Sequence, residues 1–297
     1  MRHRPVAAPP AIIRASLAAL ALALLGGCSL LRLSYPQLPT LAYWSADSYL
    51  DLTGAQSEFV RAQLAEWLRW NRTTQLPDYA ALLRRARAEV LQDTTPERLC
   101  RWADEATARV QTAFDQALPA AAEVALTLSP AQFEHLRKHL DKVNAEFREE
   151  YVERRPQRRL KEAVQRAVER AETLYGKLDE AQRERLASEV AASPFDPERW
   201  LAERTLRQRE ALQTLRRLQA ERAGADEMQA ALRAFFERAQ RSPDDAYRAY
   251  QQRLRQHSCA VAARLHNTTT PEQRQAAAAN LSGWENDLRS LAAETAR

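Results

Sequence analysis

Phe133, Leu136, Leu140, Val143, Phe147 and Tyr151 follow one another at steps of three and four residues, which places them on one face of an α-helix. The same spacing recurs at Leu160, Val164, Ala167, Ala171, Leu174 and Leu178, and again at Ala277, Leu281, Trp284, Leu288 and Leu291. Strand-like alternation is absent. A helix with one apolar stripe must cover it, and the simplest cover is another such helix, so the chain is expected to be all-α, a bundle of about ten helices.

Start signals punctuate the stripes. Thr95-Pro96, Ser129-Pro130, Ser242-Pro243 and Thr270-Pro271 each put an N-cap residue before a proline at the first helical position. Together with the periodicity they predict helices at 41–50, 54–73, 77–92, 96–117, 119–127, 130–154, 157–176, 179–192, 197–223, 225–241, 243–267 and 271–295. "SPFDP" at 193–197 is a candidate seam between two packed sub-bundles.

A short motif repeats at these starts: "LTGAQ" at 52–56, "LSPAQ" at 128–132, "LDEAQ" at 178–182 and "TTPEQ" at 269–273. In each, a polar N-cap stands three residues before a glutamine; three match the S/T-x-x-E/Q capping box, in which two side chains satisfy two otherwise orphaned backbone donors, and Asp179 with Gln182 is a near variant. Leu128 and Phe133 supply the matching hydrophobic staple. Glutamines so placed are expected to hold helix ends, with ligand contact as the alternative.

The N-terminus carries a different signal. Arg2, Arg4 and Arg14 precede an uncharged run of 11 residues from Ala15 to Leu25, too short to span a bilayer and of the form of a secretory leader. It ends in Leu25-Gly26-Gly27-Cys28, which resembles the lipobox of bacterial lipoproteins. That resemblance implies cleavage before Cys28, acylation of its sulfur, and outer-membrane sorting because Ser29 follows. The expected organisation is a leader at 1–27, a lipidated extended tether at 28–40 containing Pro36 and Pro39, and a helical domain at 41–297.

Composition excludes several functions. Removing Arg2, Arg4 and Arg14 lowers 44 basic residues to 41 against 39 acids, leaving a mature net charge of +2 and little case for nucleic acid. Four glycines remain after the leader, Gly54, Gly176, Gly224 and Gly283, and no phosphate-binding glycine loop occurs. Cys100 and Cys259 are the thiols left once Cys28 is acylated; in an oxidising compartment they favour a disulfide, with two inert buried thiols as the alternative.

No catalytic residue, cofactor or metal is assigned. His135 and His139 stand four apart on one helix, but "HLRKH" lacks the glutamate of H-E-x-x-H. "HSC" at 257–259 with His266 lacks paired cysteines. "ERWLAERTLRQRE" at 198–210 has the look of a solvated, ion-paired helix face. The basic run "RRPQRRLK", with Arg154, Arg155, Arg158 and Arg159, is a candidate for contact with anionic lipid or lipopolysaccharide phosphates, or an exposed helix corner broken by Pro156. Trp44, Trp67 and Trp70 are expected in the core.

Tyr49, Asp51, Leu52 and Gln56, then Trp70, Asn71, Arg72, Gln75, Leu76, Pro77 and Tyr79, then "LHNTTTPEQR" at 265–274 together resemble a family of uncharacterised helical lipoproteins of Gram-negative bacteria. Asn71 and Gln75 depart from the histidine and glutamate of the family pattern. The resemblance implies an envelope location and a helical fold, and makes Trp70, Arg72 and Tyr79 candidate partner-binding residues. The L-T-x-x-Q-like starts are also similar to those of Spy and CpxP type periplasmic proteins, which are helical chaperones and stress regulators. The functional expectation is a non-enzymatic, membrane-anchored module that binds envelope proteins; the alternative is an undescribed helical hydrolase or metal-dependent enzyme.

Overall fold

The computed structural model describes residue 32 and residues 34–294. The leader, Cys28 and residues 29–31 and 33 of the expected tether lie outside them. All the regular structure among the described residues is helical. In chain order the α-helices are α1 (Leu38–Leu50), α2 (Gly54–Trp70), α3 (Leu76–Glu89), α4 (Pro96–Thr127), α5 (Pro130–Phe147), α6 (Pro156–Tyr175), α7 (Glu180–Ala191), α8 (Pro197–Ala220), α9 (Ala225–Gln240), α10 (Asp245–Asn267) and α11 (Pro271–Ala293). Wider π-helical segments, Asn71–Gln75 and Arg148–Glu153, follow α2 and α5.

Three boundaries differ from the sequence expectation, each for a local reason. Pro119 does not divide the 32-residue α4. An interior proline costs about 3 kcal/mol, and here buried Leu118, Ala122, Val124 and Ala125 on both sides of it outweigh that loss. Pro77 likewise leaves the path from α2 to α3 unbroken: the backbone widens to a π turn, and the hydroxyls of Thr73 and Thr74 donate to the carbonyls of Arg69 and Trp70. Residues 35–40 are helical rather than extended, because Tyr35 is drawn into a buried cluster with Leu76, Ala80, Leu288 and Leu291.

All four predicted capping boxes form, and they are joined in pairs. Gln132 Oε1 accepts from its own N-cap, Ser129 N, at 3.0 Å. Its Nε2 donates across the molecule to Asp51 O at 2.9 Å and to Gln56 Oε1 at 2.7 Å. Gln56 does the converse, accepting from Thr53 N at 2.9 Å and donating to Thr127 O at 3.2 Å. Gln182 and Gln273 repeat the arrangement: Gln182 Nε2 reaches Thr268 O at 2.9 Å and Gln273 Oε1 at 2.7 Å, and Gln273 Nε2 reaches Lys177 O at 3.0 Å and Gln182 Oε1 at 2.8 Å. In every case the carbonyl taken is two residues before the partner's N-cap. One pair ties the α1–α2 corner to the α4–α5 corner; the other ties α6–α7 to α10–α11.

The core forms around these ties. Leu128 and Phe133 flank the first and are each 2% exposed, within a cluster that includes Leu212, Leu215, Leu218 and Met228. Ala171, Leu178 and Leu186 flank the second. Small residues on α11 admit α3 closely, and Arg87 of α3 reaches Ser282 at 3.0 Å and the buried Glu285 at 3.6 Å. The sulfurs of Cys100 and Cys259 are bonded, joining α4 to α10 across 159 residues of chain; such a link contributes about 2–4 kcal/mol.

Helix α8 corrects the reading of 198–210 as a solvated face. Glu203 is 9% exposed and accepts from Ser242 Oγ at 2.7 Å. Arg207 donates to the carbonyls of Arg238 and Ala239 at the end of α9, and Arg199 lies over the rings of Tyr247 and Tyr250. Arg199 and Arg207 of α8 therefore act as packing and capping groups between helices.

The reciprocal amides give a test. Gln56→Leu and Gln132→Leu should each lower stability by about 2–4 kcal/mol, since each strands buried backbone donors and acceptors. The double variant should lose less than the sum, whereas Gln56→Leu with Gln182→Leu, which share no partner, should be additive. Urea unfolding of these variants and of Gln182→Leu alone measures both.

Candidate functional site

A groove runs between α5 and α8. The two helices are joined at one point by Asn144 Nδ2 donating to Gln208 Oε1 at 2.6 Å and at another by Phe147 stacked on Trp200 at 4.4 Å. Between and beside these joints lie adjoining concavities that share Thr205, floored by Leu140, Leu201, Ala202, Leu206 and Leu212. Leu206 is 46% exposed, a large apolar side chain facing solvent at this position. Arg137, Arg148, Arg209 and Arg216 stand along the rim, interspersed with Asp141, Glu149 and Glu198. Arg137 is held by Glu134 and Asp141, and Arg216 lies 3.8 Å from Glu134. Arg148 and Arg209 make no ion pair among the described residues. At one end the half-buried rings of Phe147, Tyr151 and Trp200 form a stack.

This groove was not legible in the sequence. Leu140 and Phe147 belong to the stripe already recognised on α5, but the facing residues sit in the charge-rich stretch of α8. Leu201 and Leu212 lie among so many arginines and glutamates that the apolar face of that helix is masked.

The residues singled out from sequence are mostly engaged inside the fold. Asn71 is 5% exposed and accepts from Tyr35 Oη at 2.9 Å. Arg72 lies over the Tyr35 ring at 5.2 Å, and Tyr79 packs against the same cluster. Burial raises the phenol pKa of both Tyr35 and Tyr79, opposed by Arg72 and Asn71 respectively. Trp70 packs on Trp67, whose indole N–H donates to Ala113 O at 3.0 Å. The motif at 70–79 is thus a clasp around the incoming N-terminal segment. Trp44 alone of the three early tryptophans faces outward, at 60% exposure, because α1 packs mainly on α2 and α5 and its outer side is uncovered.

The basic run closes a helix corner. Arg154 and Arg158 share Glu162 at 2.7 and 3.1 Å, and Arg159 caps the carbonyls of Tyr151 and Val152. Arg155 is the exposed N-cap of α6.

The late motif is a clasp as well. Asn267 exchanges two hydrogen bonds with the Thr94 backbone, at 2.9 and 3.0 Å, and Arg274 pairs with Asp93 at 2.5 Å. His266, 4% exposed, donates from Nε2 to Gln92 O at 2.7 Å and so accepts at Nδ1 from Tyr175 Oη at 2.9 Å. Burial pushes the Tyr175 phenol up to about 12 and pushes His266 below its ordinary value, the Gln92 carbonyl partly opposing the latter. His257 bonds Glu189 O, His135 bonds Ser48 O, and His139 packs against Tyr49 with the two rings tilted. No group of three or more His, Cys, Asp or Glu side chains suited to a metal ion is found among the described residues.

Residues 48–248 match the model of a family of unknown function, DUF6279. The chain belongs to that family. The matched span takes in the clasp at 70–79, both walls of the groove and the first glutamine pair, and stops short of the late motif. No curated protein and no solved structure matches the chain.

The buried histidine sets a pH dependence. Its unfolded pKa of 6.5 lies above the folded one, so as pH falls below 6.5 the unfolded chain takes up a proton that the folded chain refuses, and stability is lost down to the folded pKa. Arg274 and Asp93 face the imidazole and act in opposite directions. His266→Gln, which keeps a donor for Gln92 O, should show a smaller fall in Tm between neutral and mildly acidic pH than the parent. Equal falls by calorimetry would contradict this assignment.

Proposed function

We propose that this chain is a lipid-anchored, non-enzymatic module on the periplasmic face of the outer membrane that holds apolar segments of other envelope proteins, in the manner of a chaperone. The observation that carries the reading is the α5–α8 groove, whose floor offers Leu206 and Ala202 to solvent between the rim arginines. An unfolded segment with spaced apolar side chains fits such a floor, and a rim of mixed charge accommodates many sequences, as a binder of unfolded chains requires.

Three further features support the reading. The leader and the lipobox-like Leu25-Gly26-Gly27-Cys28 point to export and acylation. The Cys100–Cys259 disulfide fits an oxidising compartment. The L-T-x-x-Q-like helix starts are similar to those of Spy and CpxP type periplasmic proteins. No helix among the described residues is long and apolar enough to cross a membrane, so attachment in this reading comes from the acylated cysteine.

The Cys28→Ser protein, exported and purified without acyl chains, should suppress aggregation of an unfolded client followed by light scattering. Leu206→Asp should weaken client binding by roughly tenfold, equivalent to ~1.5 kcal/mol for one leucine kept from burial, with Tm unchanged because the side chain is exposed. No suppression at several-fold excess over client removes the chaperone reading.

A further inference from the structure

Helix α1 carries an uncharged, largely apolar outer face in a charge-rich chain. Its exposed positions run Gln37, Leu38, Leu41, Ala42, Trp44, Ser45 and Ser48, and none bears a charge. Leu38, Leu41 and Trp44 are 41%, 51% and 60% exposed. The charge of α1 is confined to Asp47, whose carboxylate is turned to the chain end and accepts from Leu52 N at 3.1 Å. The opposite side is fixed: Tyr43 is buried, donates to Ser57 Oγ at 3.1 Å and is covered by Arg61, while His135 Nε2 bonds Ser48 O at 3.0 Å. The exposed face therefore cannot turn inward without breaking the packing on α2 and α5.

What covers it follows from where the chain comes from. Nine residues lie between Cys28 and Leu38, a reach of at most about 35 Å. Tyr35, clasped by Asn71 and Arg72, fixes the point at which that short connection enters the body. We infer that the uncharged outer face of α1 lies on the lipid leaflet holding the acyl chains, with Leu38, Leu41 and the Trp44 ring seated in the headgroup boundary. The inference rests on acylation of Cys28, the anchor in the function proposed above. Tryptophan suits the boundary because its ring is largely apolar and its N–H remains able to meet water or headgroups. A face of this kind settles ~5–10 Å into the boundary without spanning it. The second effect is orientation. A flexible tether leaves the body free to tumble above the membrane, whereas a docked α1 fixes which side faces the lipid.

The test uses the full acylated chain, reconstituted in phosphatidylethanolamine–phosphatidylglycerol vesicles, with an environment-sensitive nitrobenzoxadiazole label on Leu41→Cys. Val110→Cys, on an exposed residue of α4, serves as the reference. Doxyl lipids should quench the label at 41 and leave that at 110 nearly unaffected, and a doxyl group high on the acyl chain should act more strongly than one near its methyl end. Adding Leu38→Ser and Trp44→Ser should weaken the quenching at 41 while palmitate labelling and flotation with vesicles persist. Equal quenching at 41 and 110 in an acylated, floating protein overturns the leaflet contact and leaves the anchor intact. A blue-shifted label at 41 that depends on protein concentration and ignores doxyl lipid assigns the face to a second copy and overturns it too. If palmitate is not incorporated and Cys28→Ser floats no differently from the parent, the anchor itself fails and the leaflet contact with it.

Discussion

Two primary amides facing each other in a buried site determine how this molecule is put together. A glutamine at the third helical position has one carbonyl oxygen and two N–H groups, and a solitary capping box uses only the oxygen. Burying the remaining donors without partners would cost more than the cap returns. Here each amide meets a second capping glutamine and the last carbonyls of the connection that leads into that partner's helix. Four helix starts are thus satisfied two by two. Because the Oε1 atoms must face the N-cap N–H groups, the amide orientation is fixed, and with it the angle at which the paired corners meet.

The apolar packing is consistent with that constraint. Leu128 and Phe133 staple the α4–α5 corner and lie in the same cluster as Leu212 and Leu218 of α8, so the amide pair and the hydrophobic floor beneath it hold α5 in one place. α5 then meets α1 on one flank, through His135 and His139, and α8 on another, through Asn144 and Phe147. The groove and the outward-facing helix share this one strut. In the proposed docked arrangement, the position of the groove relative to the leaflet is set by α5 and hence by Gln132.

Much of this was legible because it is local. Apolar steps of three and four and the N-cap to proline pairs specify helices through contacts within a few residues, and the described helices follow them closely. The capping role of Gln56, Gln132, Gln182 and Gln273 was readable for the same reason. Their pairing was not, because it joins residues 76 and 91 positions apart and nothing in a five-residue motif says which copy it will meet. α8 failed in a different way. Arginine has a long aliphatic stem and a head that can cap a helix or cover a ring, so Arg199 and Arg207 fill interhelical space that a charge pattern assigns to solvent. Pro119 and Pro77 were over-read, since a local break signal of about 3 kcal/mol yields to packing that only the folded chain reveals.

The two motifs at 70–79 and 265–274 that carry the family resemblance are both clasps, and their targets explain why they look functional. Asn71, Arg72 and Tyr79 surround the segment entering from the N-terminus, and His266, Asn267 and Arg274 surround the loop at 91–94. Each clasp spends polar, aromatic and charged side chains on a stretch of irregular or short helical backbone, the kind of backbone that supplies few hydrogen bonds of its own. Such a cluster resembles a ligand site in composition because both tasks require donors and acceptors aimed at a chain that lacks internal partners. The difference lies in occupancy, since here the chain itself fills the place of the ligand. The α5–α8 groove has the reverse character, with an apolar floor that no segment of the described chain covers.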